Sequence, residues 1–156
     1  MPSRRETIRM TRQEADAYLR GQSRIILVTN GADGLPHPVP MNYGLDEEGR
    51  ILITSFRKSQ KVRNLERDPR ATLLVESGET YADLRSVIVY ADAEIIADAD
   101  AIPQLMRHIG ADGALAGSIS GSMSDQVRAS IAKRVVLRFT PLRLVSWDHT
   151  KLKGYY

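Results

Sequence analysis

Ile51-Leu-Ile-Thr-Ser-Phe-Arg-Lys-Ser-Gln-Lys-Val-Arg-Asn-Leu-Glu-Arg-Asp-Pro-Arg-Ala-Thr-Leu-Leu-Val75 is the stretch on which the reading of this chain turns. An apolar run, a cluster of cations and a second apolar run predict a buried strand, a helix with a basic start and another strand. Asp68-Pro69 ends the helix, because the residue before a proline is pushed out of the α region. Ser59 sits where it would cap the helix, leaving the first-turn amides of Gln60 and Lys61 open beside the positive end of the helix dipole. With Arg57, Lys58 and Lys61 around the same point, the pattern suits an anion such as a phosphate. The same residues also suit an ordinary surface helix, with Val62 and Leu65 facing inward while Lys61, Arg63 and Arg67 are solvated.

At 156 residues the chain has the length of one domain, expected over 1–156, and can bury a core without disulfide or metal staples. Its 22 Lys and Arg against 19 Asp and Glu leave a formal charge of +3. That mild bias favours an anionic ligand over a dedicated nucleic-acid surface. The absence of cysteine excludes disulfides, thiolate catalysis, iron–sulfur clusters and cysteine-bound zinc, and fits a reducing compartment. The start, Met1-Pro-Ser-Arg-Arg-Glu6, leads into a polar helix, and no apolar run nears the ~18 residues needed to cross a bilayer. A soluble cytoplasmic protein without a membrane partner is the expectation.

Outward from the central stretch, Thr11-Arg-Gln-Glu14 has the form of a capping box opening a helix over about 11–20. Arg24 to Thr29 reads as a strand, Ala32-Asp-Gly34 as a turn, and Val39, Met41, Tyr43 and Leu45 alternate along the next segment. Beyond the basic helix, a long strand is predicted from Leu84 to Ile96, with Val87, Val89, Ala91, Ala93 and Ile95 on one face. Asp98 is expected to cap a helix reaching Ile109, opening a helical insertion over about 98–133 that ends in a second helix from Ser124 or Asp125 to Lys133. Gly110, Gly113, Gly117 and Gly121 mark either a lid or a plain connector between the two. Val135 to Phe139 and Leu142 to Trp147 read as two last strands, followed by a tail to Tyr156. Six or seven strands with hairpin-length links predict a mainly β protein, an antiparallel barrel with inserted helices.

The run from Ser59 to Val75, preceded by Pro38-Val-Pro-Met-Asn-Tyr43 and Ile51-Leu-Ile-Thr-Ser55, resembles the flavin-binding split β-barrel superfamily. That superfamily contains the pyridoxamine 5′-phosphate oxidases and the flavin/deazaflavin oxidoreductases. The likeness extends from about Thr11 to Lys151 and is clearest over 36–96, while Ser146-Trp-Asp-His-Thr-Lys-Leu152 is similar to the ending of small oxidase-like members.

The resemblance implies a six- to seven-stranded split barrel of the FMN-binding type and a homodimer with cofactor sites between the subunits. It implies that Lys61, Thr54, Ser55 and the helix start at Ser59 hold the cofactor phosphate, with Gln60 alongside, and that the ring lies along Val39, Pro40, Met41 and Asn42. Arg85 or Ser86 of the second subunit would reach the cofactor, with Trp147 to His149 as a further partner contribution. The oxidases usually carry an adjacent Arg-Lys pair at the phosphate, where this chain has Gln60-Lys61, with Arg57 and Lys58 as substitutes. Their C-terminal arginine segment has no match before Tyr156. The resemblance therefore implies a reductase with FMN or the deazaflavin F420 rather than pyridoxamine phosphate oxidation.

No Gly-x-Ser-x-Gly elbow, His-Glu-x-x-His or P-loop occurs, so hydrolase, zincin and triphosphatase chemistries have no anchor. Hydride chemistry needs none of these, because the cofactor brings it. His37, His108 and His149 lack metal-ligand spacing and read as surface or satisfied positions, with His149 as the candidate proton donor. Trp147 reads as a core or interface residue, and Tyr43 and Tyr90 as packing residues. The expected function is an F420- or FMN-dependent oxidoreductase acting on a small organic substrate. The alternative is a flavin- or tetrapyrrole-binding protein that stores or shields its ligand. Nucleic acid is not an expected partner, since segment 57–70 lacks interleaved aromatics.

Overall fold

The computed structural model describes residues 3–109 and 124–154. Helices α1 (Arg4–Thr7) and α2 (Arg12–Gly21) precede strands β1 (Arg24–Asn30), β2 (Pro36–Asn42), β3 (Gly44–Leu45) and β4 (Ile51–Phe56). Helix α3 (Gln60–Arg67), β5 (Arg70–Ser77), β6 (Arg85–Ile96), α4 (Ile102–Met106), α5 (Asp125–Ala132), β7 (Arg134–Asp148) and a 3-10 turn (His149–Leu152) follow. The strands form one antiparallel sheet in the order β2-β1-β5-β6-β7-β4-β3, curled into a split barrel.

The capping box forms as expected: Thr11 Oγ1 accepts from the Glu14 amide at 3.1 Å and the Glu14 carboxylate accepts from the Thr11 amide at 2.6 Å. A second box, Ser3 with Glu6, starts α1, which the sequence reading missed. Three expectations are corrected. The helix after Asp98 is only Ile102–Met106, with Ala101 at its N-cap, because Asp98 turns the chain back through its carbonyl to the amides of Ala101 and Ile102 before the helix begins. The two last strands are one, since β7 runs through Pro141 with a register shift opposite Tyr90 and Ala91 that absorbs the irregularity. Ser59 occupies the N-cap of α3 but its side chain caps nothing. The glycine-rich segment, with the choice between lid and connector, lies outside the described residues.

Alternation along the strands builds the core. Ile25, Leu27, Ile51, Ile53, Leu73, Val87, Val89, Leu137 and Phe139 point into the barrel, where α3 contributes Val62 and Leu65. The opposite face of β4 and β7 carries Leu52 and Val136, covered by Ile102, Met106, Ile109 and Ile131. The chain at His108 and Ile109 approaches Gly44 so closely that an added Cβ there would lie 1.6 Å from the His108 carbonyl oxygen. Glycine at 44 is a packing requirement.

Three prolines line the edge of β2 that faces the split. β2 pairs with β1 over its whole length, whereas β3, one residue further on, pairs with β4 as Gly44↔Leu52 and Leu45↔Ile51. Extending that second register backwards sets Asn42 opposite Thr54 and Met41 opposite Ser55, yet no pairing continues there. In an antiparallel ladder each residue directs its N–H and C=O the same way, alternately toward and away from a given neighbour. Pro36, Pro38 and Pro40 join the β1 ladder with their nitrogens turned outward, as proline in a strand must. The outer edge of β2 therefore offers carbonyls alone from 36 to 40. Over that stretch it has no donor to give to β4.

Candidate functional site

At the foot of this split, β4 delivers the chain into α3. The β4 backbone is tied to β7 by Thr54↔Val136, Ser55↔Val135 and Phe56↔Arg134, and the Arg57 amide donates to the Lys133 carbonyl at 2.9 Å. Alternation puts the Thr54 and Ser55 side chains on opposite faces of the strand. Ser55 Oγ meets Ser59 Oγ at 2.9 Å, so two hydroxyls converge at the helix start. Thr54 points to the other side, where its Oγ1 is buried without a hydrogen-bond partner among the described residues.

Because Ser59 does not cap, the amides of Gln60, Lys61 and Val62 have no acceptor among the described residues. The helix dipole adds positive potential at that point. Lys61 is half-buried with no acidic partner among the described residues, and desolvation holds its ammonium below the ordinary lysine range. Arg57 and Lys58 are exposed on the connecting turn. Phe56, 54% exposed, lies under the Arg134 guanidinium at 4.4 Å.

Behind the helix start, Asn64 is fully buried and was missed as a structural residue. Its Nδ2 donates to Thr29 Oγ1 at 3.0 Å, and its Oδ1 accepts from Gln60 Nε2 at 2.9 Å and Arg67 at 3.2 Å. Gln60, Asn64 and Arg67 at i, i+4 and i+7 form a polar stripe that the sequence displayed, but the stripe reads equally as a solvated face. Asn64 fixes α3 against β1. Beside it lies a cavity of about 360 Å³ walled by His37, Gln60 and Asn64. The His37 Nδ1 is buried without a hydrogen-bond partner among the described residues, which corrects the reading of His37 as a surface or satisfied position. His37 shares the parity of Val39 and Met41 on β2, and that was the available signal.

The other named residues stand at the far end of the sheet. From Val136, opposite Thr54, to Asp148, opposite Arg85, β7 runs twelve residues, ~40 Å of strand. Ser86 is buried and its Oγ donates to the Val75 carbonyl at 3.0 Å, while exposed Arg85 stands 5.9 Å from the Tyr18 ring centroid. Trp147, half-buried, pairs with Ser86. His149 is 9% exposed, with Nδ1 at 2.6 Å from the Tyr81 carbonyl oxygen and its ring 4.5 Å from the Tyr81 ring. One chain thus gathers Ser55, Arg57, Lys58, Ser59, Gln60 and Lys61 at the start of α3, with β2 and its Val39–Asn42 next to β4; it turns the Thr54 side chain to the other face of β4 and holds Arg85, Ser86, Trp147 and His149 at the other end of the β7 ladder. Among the described residues no group of acidic, histidine or cysteine side chains is placed to hold a metal.

The family profile described as pyridoxamine 5′-phosphate oxidase matches residues 11–148. The chain belongs to that family. A reductase of 5a,11a-dehydrotetracycline and 5a,11a-dehydrooxytetracycline from Streptomyces rimosus is 34% identical over 89 residues, which cover 54% of this chain and 63% of that protein. The chain thus spans less than two thirds of that relative's length. A conserved hypothetical protein of Mycobacterium tuberculosis superimposes with a TM-score of 0.79 at 32% identity, covering 97% of this chain and 93% of the other. An F420 reductase shares the fold with a TM-score of 0.60 at 22% identity, over 83% of this chain and 94% of the other. Family relatives thus include oxidoreductases. Among the described residues no helix is long and apolar enough to cross a membrane.

Proposed function

We propose that this family member is a homodimeric oxidoreductase that binds FMN or F420 and passes hydride between the cofactor and a small organic substrate. The observation that carries the reading is Lys61, desolvated and without a counter-charge among the described residues, beside helix amides with no acceptor among them and two convergent hydroxyls. A phosphate supplies the missing charge. Lys61, Ser55, Ser59 and the amides of α3 would hold it, with Arg57 and Lys58 adding attraction from the rim. The ring would lie in the split, against Val39, Pro40, Met41 and Asn42. Once bound, the cofactor's ring supplies the hydride chemistry. The chain orients that ring and shields it from water.

A row of half-buried apolar side chains supports the dimer. Ile26 pairs with Leu74, Leu74 with Ile88 and Ile88 with Val145, crossing four strands on the outer face, and none of them belongs to either core. A second copy would cover the row and bring its own Arg85 and Trp147 to the cofactor.

The test is a stopped-flow mix of protein carrying reduced cofactor with a panel of quinones and enones, with light scattering on the same sample. Oxidation faster than that of free reduced cofactor, by a dimer, is the expected result. A tightly bound cofactor that no acceptor oxidises faster would favour the storage or shielding alternative.

A further inference from the structure

Resting on the reading above, we infer that the proline edge of β2 selects the cofactor at ring atom 5, preferring a deazaflavin, which carries C–H there, over a flavin, which carries an acceptor nitrogen. The phosphate chain of either cofactor leaves the ring from atom 10, on the long edge opposite atom 5. The phosphate site lies at the β4–α3 side of the split, so a chain reaching it turns the atom-10 edge toward β4. Atom 5 then faces β2.

That edge is unusual chemically. Pro36, Pro38 and Pro40 are exposed and have no N–H, their nitrogens point away from β1, and among the described residues no backbone hydrogen bond outside the sheet reaches their carbonyls. Asn42 is the first position on this edge with an amide to donate. An oxidised flavin would set the atom-5 lone pair against carbonyl oxygens, leaving an acceptor desolvated without a donor. A C–H at the same position meets those carbonyls as a weak donor. The ring's imide suits the edge in either cofactor, since its N–H can donate to a proline carbonyl and its oxygen can accept from Asn42.

FMN and 5-deaza-FMN share phosphate and side chain and differ only at atom 5, so titrating both into the wild-type protein isolates the effect. The expected result is 5-deaza-FMN bound about tenfold more tightly, the loss expected for one unmatched buried acceptor. Pro38→Ala and Pro40→Ala each put an N–H back on the edge, and at least one should narrow the ratio to about threefold. Equal binding in the wild type, or tighter FMN, overturns the inference and leaves the proposed function standing. Wild-type preference unchanged in both variants overturns it as well. Binding of neither compound overturns the phosphate reading, and this inference with it.

Discussion

The two ends of the long β6–β7 ladder treat their polar groups differently. At the far end, Ser86 donates to Val75, His149 is engaged by the Tyr81 carbonyl, and the Asp148 carboxylate accepts from the Thr150 amide at 2.9 Å. At the near end, Lys61 has no counter-charge, the amides starting α3 have no acceptor and Thr54 Oγ1 has no partner among the described residues. Leaving buried polar groups unmatched costs stability, so a fold concentrates them where something else completes them. The near end leaves groups that an anion would complete, whereas Ser86, His149 and Asp148 at the far end are bonded within the chain.

The largest expected effect comes from Asn64, a fully buried near-end residue bonded to both its own helix and β1. Asn64→Leu leaves Thr29 Oγ1 buried without its partner and detaches α3 from β1, so urea denaturation should show a loss of about 2 kcal/mol. A loss under about 0.5 kcal/mol would show that α3 is held by Val62 and Leu65 alone. Next is His149→Phe, which keeps the ring packing on Tyr81 and removes the Nδ1 contact. It should cost about 1 kcal/mol and leave saturated turnover unchanged. A tenfold fall in turnover without a stability change would instead make His149 a proton donor that joins Arg85 and Trp147 in reaching the cofactor from the second subunit.

The smallest effect is a pH slope. Burial holds Lys61 below its unfolded value, so at neutral pH the charged form costs the ligand-free protein some stability. As pH rises through the folded value toward ~10.4, the unfolded chain binds more protons than the folded one, and this cost is relieved. The ligand-free wild type should therefore gain stability relative to Lys61→Met across that window. Parallel curves would mean that Lys61 is solvated.

Much of this was legible in the sequence because it is local. Thr11 with Glu14, the apolar run from Ile51 into Phe56 and the Asp68-Pro69 stop each report their own structure within a few residues, and the structure has all three. What escaped depends on distant contacts. That Ser59 would turn to Ser55 rather than cap its own helix is decided by how β4 enters α3, and that Asn64 is buried is decided by Thr29 on another strand. That Pro36, Pro38 and Pro40 leave one edge of β2 without donors was hidden as well, because a proline triplet shows which edge is barred only when the paired neighbour is known.

Whether the start of α3 holds a phosphate is decided by calorimetric titration of Lys61→Ala with whichever of FMN and F420 the wild type binds more tightly. Affinity should weaken by about 1.5–3 kcal/mol, the loss of a charge-assisted bond to a buried anion, with the ligand-free protein no less stable than wild type. Unaltered affinity would contradict the phosphate reading and leave α3 as an ordinary helix with a solvated basic face.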